Sequence, residues 1–226
     1  MTEQRDSYTT RRIAILGGTG KEGTGLAMRW ALAGHQIVIG SRDAERAQRH
    51  ADELNANIKV TLITGMENSD AAAAADIVVL SVPYDAHQRT LKAVEEQLSG
   101  KILIDVTVPL QPPAIRTVHI PEGKSAGLEA QANLGDNVKV VSAFQNVGWA
   151  KLQKPQADVE CDVLVTGDDS EAKTRVLELV ESAGMRGIDA GPLVNSVAAE
   201  SLTPVLMYIN KTYGIKGAGI RITGFD

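Results

Sequence analysis

Short apolar runs alternate with amphipathic, helix-like segments along most of this 226-residue chain. The first apolar run covers 13–16 and precedes a helical pattern over 24–33. A second run at 36–40 precedes a charged helical pattern over 44–54. Strands that alternate with covering helices are typical of a parallel sheet. The pattern therefore predicts an α/β protein of the doubly wound Rossmann type, with a mostly parallel sheet and helices on both faces.

The rest of the pattern extends this sheet. Proline-rich residues 107–123 predict a loop, and Pro204 predicts a kink or break inside a final helical segment. The glycine-rich end of the chain predicts a small, extended C-terminal addition. Further predicted strands cover 58–63, 76–81, 101–106, 138–143, 161–166 and 188–192, and further predicted helices cover 70–75, 84–98, 128–134, 170–182 and 194–211.

A glycine-rich turn separates the first predicted strand from the first predicted helix. Its glycines have the spacing Gly-x-Gly-x-x-Gly, which in a strand–turn–helix context is typical of a dinucleotide site. The phosphates of such a ligand lie on free N–H groups at the helix N-terminus. The predicted phosphate loop comprises Gly18, Thr19, Gly20, Lys21, Glu22 and Gly23.

The end of the second strand indicates which dinucleotide binds. NAD-binding proteins usually place an acidic residue there, on the ribose hydroxyl. This chain has Gly40-Ser41-Arg42 instead, and a hydroxyl beside a guanidinium suits a 2′-phosphate. Arg46 lies one helical turn beyond Arg42 and can face the same phosphate. The residues therefore predict NADP(H).

Two further strand ends carry small polar residues and prolines. Ser81-Val82-Pro83 follows one central strand, and Thr107 follows the next. In doubly wound sheets, ligands lie outside the carboxyl ends of the strands, at the point where the strand order reverses. We therefore expect both segments beside the nicotinamide, although a proline that simply ends a strand explains Ser81-Val82-Pro83 equally well.

Composition narrows the function classes. A net charge of −5 and an aromatic content of 4% argue against a nucleic-acid partner, which needs clustered cations and stacking side chains. The four histidines lack metal-ligand spacing, so no metal site is predicted. No apolar run is long enough for a membrane span, and the N-terminus lacks a secretory pattern. With the single Cys161, these features predict a cytoplasmic protein that binds no membrane.

No side chain is predicted to act as a catalytic acid or base. Tyr208 and Lys211, like Tyr213 and Lys216, are one residue too close for a Tyr-x-x-x-Lys motif. Hydride transfer between two redox cofactors depends on orientation more than on a protonating side chain. The absence of an acid–base pair therefore favours a cofactor-to-cofactor reaction, with no catalytic residue.

Motifs along 12–222 resemble the NADP-dependent oxidoreductases of coenzyme F420, a deazaflavin. The resemblance implies an enzyme that passes hydride reversibly between nicotinamide C4 and deazaflavin C5, with the second cofactor as substrate. A homodimer or higher homo-oligomer is expected. The motifs lie at 17–20, 23, 25–27, 40–42, 63–66, 76–79, 140–143, 167–169, 189–193, 195–196 and 200–204.

Different roles are also expected for different regions of the chain. Residues 1–11 would form a flexible tail, 12–143 the NADP-binding domain, and 144–226 a part on the same core that closes the second-cofactor cleft. By the same resemblance, the NADP phosphates are held by Thr19, Ser41, Arg42 and Arg46, the nicotinamide lies beside Ser81, Val82 and Pro83, and the deazaflavin lies near Val147.

One departure leaves the hydride acceptor open. The family typically has a histidine where this chain has Gln145, followed by Asn146. Glutamine still forms hydrogen bonds to a flavin-type ring but carries no charge. Residues 101–106 and 143–149 also resemble the reductase domain of membrane metalloreductases. The alternatives are an NADPH-dependent flavin or ferric reductase that uses FMN or FAD, and a non-catalytic NADP(H) sensor.

Overall fold

The computed structural model describes residues 9–225. Its strands are β1 (Arg12–Leu16), β2 (Gln36–Ser41), β3 (Ile63–Glu67), β4 (Ile77–Leu80), β5 (Ile102–Asp105), β6 (Lys139–Ser142), β7 (Asp162–Gly167) and β8 (Arg186–Asp189). Its helices are α1 (Lys21–Leu32), α2 (Ala44–Ile58), α3 (Asn68–Ala73), α4 (Tyr84–Ala93), α5 (Glu95–Leu98), α6 (Ala126–Leu134), α7 (Trp149–Leu152), α8 (Ser170–Ser182) and α9 (Ser196–Tyr213), with a 3₁₀ turn at Leu193–Asn195.

The strands form one eight-stranded sheet in the order β3-β2-β1-β4-β5-β6-β7-β8. Neighbouring strands are parallel except for β6 and β7. The chain first builds outward from β1 and then crosses to β4 on the other side, so the strand order reverses between these two strands. This confirms the predicted doubly wound fold and puts its ligand crevice at the carboxyl ends of β1 and β4.

Alternation along β1 divides the core between the two faces of the sheet. Ile13 and Ile15 lie on one face, in the cluster that contains Trp30 and Phe144, and Ala14 and Leu16 lie on the other. The Trp30 and Phe144 rings meet edge to face, 5.8 Å apart. Each fully buried aliphatic side chain contributes about 1.5–3 kcal/mol. Both faces therefore need a helical cover.

The predicted strand at 58–63 is wrong. Helix α2 continues to Ile58, and β3 starts only at Ile63. Asn55 explains the boundary, because its side chain donates to the carbonyl of Ile63 at 2.7 Å and accepts its N–H at 3.1 Å. The apolar residues between helix and strand pack against the core from a turn that begins at Lys59, in the left-handed conformation.

Other boundaries also differ from the sequence pattern. Helix α9 continues through Pro204, so of the expected kink or break the break does not occur; Ala199 before the proline and Leu206 after it are both buried. Helix α1 starts at Lys21 rather than at Thr24. The helical segment 84–98 is divided into α4 and α5, and α7 was not predicted.

The later part of the chain continues the same sheet and is fastened to the first half by Arg29. This side chain is 4% exposed and lies on α1. Its guanidinium donates to five backbone carbonyls of later segments, those of Lys151, Leu152, Lys154, Ala157 and Ala183.

Both ends of the described chain are tied to this body. Arg11, inside the predicted tail 1–11, pairs with Glu178 at 2.7 Å, and residues 1–8 lie outside the described structure. At the other end, Asp162 of β7 accepts the N–H of Ile222 at 2.6 Å. Within residues 9–225, no helix combines the length and apolar character needed to cross a bilayer.

Replacing Arg29 tests this fastening. Arg29→Met should lower the free energy of unfolding by about 3 kcal/mol or more, because buried carbonyls lose their donors at ~1–3 kcal/mol each. Urea denaturation measures the change. Arg175→Met, which removes an exposed pair with Glu171 on α8, should cost under about 1 kcal/mol. Equal losses in the two variants would contradict the assignment.

Candidate functional site

Two adjoining cavities open at the carboxyl ends of the central strands. The first, the arginine cleft, has a volume of about 510 Å³ and is lined by Arg42, Arg46 and Arg89 among others. The second, the apolar pocket, has a volume of about 500 Å³ and lies between the start of α1 and α9. They share a wall formed by Gly20, Ser81, Val82 and Pro83.

Close contacts around the glycine turn explain its composition. Gly17 has a φ of +75°, and a Cβ there would lie 2.4 Å from the carbonyl oxygen of Ser81. A Cβ on Gly23 would lie 2.8 Å from the Cα of Gly18. Gly18 and Gly23 therefore pack the turn and line neither cavity, whereas Gly20 faces both. The left-handed residue is Gly17, which the sequence analysis did not assign to the site.

The start of α1 has the geometry of an anion site. Gly20 occupies the N-cap position and makes no side-chain cap, so the first N–H groups of the helix are free of intrahelical partners. Thr19 faces the arginine cleft, and Lys21 and Glu22 face the apolar pocket. Such a terminus binds phosphate through its N–H groups and its dipole.

Glu22 is the one acidic side chain in this turn. It is half-buried, and burial raises the pKa of its carboxyl to about 8. A neutral carboxyl at neutral pH does not repel a phosphate bound to the same helix start. The turn is therefore compatible with an anionic ligand despite its acidic residue.

The arginine cleft holds the predicted phosphate residues together. Asp43 caps α2 by accepting the N–H of Arg46 at 3.0 Å, and its own N–H donates to Ser41 Oγ at 3.3 Å. The Ser41 hydroxyl therefore keeps its proton for a ligand. Among residues 9–225, neither Arg42 nor Arg46 pairs with a carboxylate. Both guanidinium groups are available to a phosphate.

Several lining residues of this cleft were not predicted, and two of them, Arg89 and Asn68, have side chains suited to a nucleotide. Arg89 reaches it from α4, and Asn68 from the start of α3. The Asn68 Oδ1 atom is buried and has no hydrogen-bond partner within the described chain. No local motif marks either residue, since each enters the cleft only through the packing of its helix.

The apolar pocket joins the two halves of the chain. Ser81, Val82, Pro83 and Thr107 come from strand ends, as predicted, and Gln145 and Val147 follow β6. The far wall was not predicted and consists of Trp149, Ala150, Thr203, Met207, Asn210 and Gly217. Trp149 is 44% exposed, and the ammonium of Lys21 lies 4.2 Å from its ring centroid.

Two buried polar groups face this pocket without partners. The Gln145 amide nitrogen donates to the carbonyl of Asp105 at 2.7 Å and to Ser142 Oγ at 2.8 Å. This leaves Gln145 Oε1 with no hydrogen-bond partner in the described chain, and Thr107 Oγ1 is in the same condition. Because buried polar groups are normally paired, the two atoms indicate a ligand that offers a hydrogen-bond donor.

Asn146 is a correction to the predicted site. Its side chain is 2% exposed and lines neither cavity. The amide nitrogen donates to the carbonyl of Asp162 at 2.6 Å, and the amide oxygen accepts the N–H of Leu164 at 3.3 Å. Phe144, two residues earlier, has a φ of +74°, and this bend directs Gln145 and Asn146 in different directions. Asn146 holds β7 in place.

The strand order, the glycine turn and the arginine cleft define a dinucleotide-binding protein of the Rossmann class. Residues 12–109 match the family model described as NADP oxidoreductase, coenzyme F420-dependent. The chain is 42% identical over 224 residues to the F420-dependent NADP reductase of Methanocaldococcus jannaschii, covering 95% of this chain and 99% of the relative. The chain belongs to the family of F420-dependent NADP reductases.

Two further comparisons delimit the family. A crystal structure from Arthrobacter sp. FB24, described as a candidate F420-dependent NADP reductase, matches with a TM-score of 0.80 and 26% identity over 94% of this chain and 99% of its own. A metalloreductase of Rattus norvegicus is 27% identical over 84% of this chain, which spans only 36% of that longer protein. The similarity to the F420-dependent NADP reductase of Methanocaldococcus jannaschii thus covers nearly the full length of both proteins, whereas the similarity to the metalloreductase covers only part of that protein.

Arg42→Ala tests the arginine cleft. The variant should raise the KM for NADPH at least tenfold, because a charge-assisted hydrogen bond contributes roughly 1.5–3 kcal/mol. Steady-state kinetics with NADPH as the varied substrate measure it. Arg49→Ala is the matched control, since Arg49 lies on α2, the helix that follows Arg42, pairs with Glu45 and lines neither cavity. An unchanged KM in Arg42→Ala would remove this residue from the phosphate site.

Glu22 predicts a pH dependence of nucleotide binding. As the pH rises through about 8, the carboxyl loses its proton and the new charge repels the phosphates, so the KM for NADPH should rise. Glu22→Gln should abolish that rise, whereas Glu45→Gln, outside both cavities, should preserve it. A KM that rises equally in the wild type and in Glu22→Gln would refute the role of Glu22.

Proposed function

We propose that this protein transfers hydride reversibly between NADP(H) and coenzyme F420, between nicotinamide C4 and deazaflavin C5. The observation that carries the proposal is the shared wall of the two cavities, formed by Gly20 and residues 81–83. Direct hydride transfer requires both reactants to be bound at once and in contact. Adjoining cavities of similar volume provide that arrangement.

The arginine cleft and the turn would hold NADP(H). Ser41, Arg42 and Arg46 take the 2′-phosphate, with Arg89 on the opposite wall. The free N–H groups at the start of α1 take the pyrophosphate. The nicotinamide then lies over 81–83, at the junction of the cavities. These assignments follow the volumes and charges of the site and agree with the name of the full-length relative.

The apolar pocket would hold the deazaflavin. Val147, Trp149 and Met207 offer flat or flexible apolar contacts to its ring system. Gln145 Oε1 and Thr107 Oγ1, both buried acceptors without partners in the described chain, suit the N–H of its pyrimidine-like ring. A neutral glutamine in the place of the family's histidine keeps this hydrogen bond without adding charge.

The protein contributes orientation and exclusion of water. The acceptor ring, once bound in the apolar pocket, would displace solvent from beside the transferring hydride, which disfavours side reactions. Reduction of the acceptor would place the hydride on a ring carbon and a proton, taken up from solvent, on a ring nitrogen, and would leave the nicotinamide cationic. Holding the two rings together supplies the catalysis, and no side chain forms a bond to either.

We further infer a homo-oligomer in the cytoplasm. Helix α9 and the residues flanking it expose large side chains, with Tyr208 at 58% and Tyr213 at 73% exposure beside Val194, Val205 and Ile215. Exposed apolar patches of this kind commonly mark protein–protein contacts. A second copy of this chain would cover the patch. Cys161 is a buried free thiol, as expected in a reducing compartment.

An acceptor assay tests the proposed activity. The protein is incubated with NADPH and, separately, F420, FMN, FAD or a ferric chelate. Loss of F420 absorbance that is much faster than flavin or iron reduction is expected. If only flavins or iron are reduced, the F420 assignment is wrong. If NADPH binds tightly but no acceptor is reduced, the protein is a sensor and the enzymatic proposal fails.

A further inference from the structure

Three ionisable side chains lie buried behind the apolar pocket. They are His87 of α4, Asp105 at the end of β5, and Glu200 of α9, with exposures of 0%, 0% and 1%. His87 Nε2 lies 2.6 Å from Asp105 Oδ2. Burying charged groups costs several kcal/mol each before pairing, so such a cluster is an expensive way to fill a core. None of the three lines either cavity.

Asp105 holds both of the unpartnered polar residues of the apolar pocket. Its Oδ1 accepts the N–H of Thr107 at 2.9 Å, and its carbonyl accepts the Gln145 amide at 2.7 Å. Its remaining oxygen, Oδ2, is taken by His87. The rotamer of Asp105, and with it the hydrogen bond that orients Thr107, therefore depends on the contact with His87. Gln145 bonds to the backbone carbonyl of the same residue.

The same contact reaches the arginine cleft. His87 lies on α4, and its neighbours Ala86 and Arg89 line that cleft. One buried hydrogen bond thus connects the helix beside the nucleotide phosphates to the wall of the apolar pocket. On the other side, Thr203 of α9 donates to the carbonyl of Gln145 at 2.6 Å, so both flanks of Gln145 are fixed.

The hydrogen bonding of the His87 side chain argues against a purely stabilising role. Its Nδ1 atom is buried and has no hydrogen-bond partner in the described chain. An unmade hydrogen bond at a buried nitrogen costs about 1–3 kcal/mol. An amide that bonded Asp105 and paired its other end would fill a purely structural role without that cost. The only side-chain hydrogen bond of His87 within the described chain goes to Asp105, the residue that orients the pocket wall.

We propose that His87 and Asp105 are positioning residues for the hydride acceptor, which orient Thr107 in the wall that Gln145 also lines. The inference rests on the proposed function only for the identity of the acceptor. The pair holds the wall most firmly when His87 is protonated to the cation, because the opposite charges then add Coulomb attraction to the hydrogen bond with the Asp105 carboxylate.

The surrounding charges set the pH at which this hold is lost. Groups from every packed element face His87: Asp105 from β5, Glu129 from α6, Glu200 from α9, and Tyr84 on its own helix, whose hydroxyl donates to Glu129 at 3.0 Å. Burial alone would lower the pKa of His87, but Asp105, followed by Glu129 and Glu200, outweighs burial and raises it.

Glu200 adds a second titration to the cluster. Burial first, and Asp105 second, raise the pKa of Glu200 to about 8, while its carboxylate accepts the N–H groups of Ala126 and Gly127. Since the pKa of His87 is raised, the charged form of the pair is complete below the ordinary histidine value. As the pH rises through the raised value, this charge is lost and only the weaker hydrogen bond from a neutral imidazole remains. Acceptor affinity should therefore fall at alkaline pH.

Two variants separate the hydrogen bond from the charge. His87→Leu removes both, and should raise the KM for F420 at least fivefold while the KM for NADPH changes less than twofold. His87→Gln keeps a neutral donor for Asp105, and should retain most of the affinity near neutral pH but lose the alkaline fall. His35→Leu is the control, a histidine 2% exposed that bonds Ser182 away from both cavities.

Hydrogen exchange of peptides covering 103–110 gives a readout that needs no turnover. His87→Leu should exchange faster there than the wild type, and His35→Leu should not. Unchanged exchange, equal KM effects on both substrates, or an alkaline fall that persists in His87→Gln would each overturn the inference. If exchange rises but the wild type fails to reduce F420, the positioning role stands and the proposed function fails.

Discussion

The close approach of the glycine turn to the end of β4 is the constraint on which the site depends. Gly17 sits so near the Ser81 carbonyl that no side chain fits between them. The turn also hydrogen-bonds to the end of β2, through Gly17 N–H and the Gly40 carbonyl at 3.2 Å. These contacts fix the start of α1 at the carboxyl ends of β1 and β4, the two strands between which the strand order reverses. Both cavities form around that fixed point.

The phosphate residues of the arginine cleft could be predicted from the sequence because each motif that identifies them spans only a few residues. The alternation in β1, the glycine spacing and Ser41-Arg42 each act within a few residues, and the structure brings them together at one crevice. The strand misplaced at 58–63 shows the limit of this approach. Its apolar residues lie in a turn and pack against the core from there. The start of β3 is set by two hydrogen bonds between the Asn55 side chain and the backbone of Ile63.

The acceptor half resisted prediction because its contacts span long stretches of chain. Trp149 packs against the ammonium of Lys21, which lies far earlier in the sequence. Arg29 likewise donates to carbonyls more than a hundred residues away. The neighbours Gln145 and Asn146 looked equivalent in the sequence, yet one faces the pocket and the other secures β7. A single left-handed residue, Phe144, separates their roles, and nothing in the local sequence marks it.

The narrow wall shared by the two cavities also bears on how such a protein diversifies. Only Gly20 and the segment 81–83 belong to both, while the arginine side chains of the arginine cleft come from positions 42, 46 and 89 and the far wall of the apolar pocket comes from α7, α9 and Gly217. Most substitutions in the lining of one cavity therefore leave the lining of the other unchanged. A lineage with this architecture can therefore exchange one redox partner for another while the rest of its chemistry is inherited unchanged.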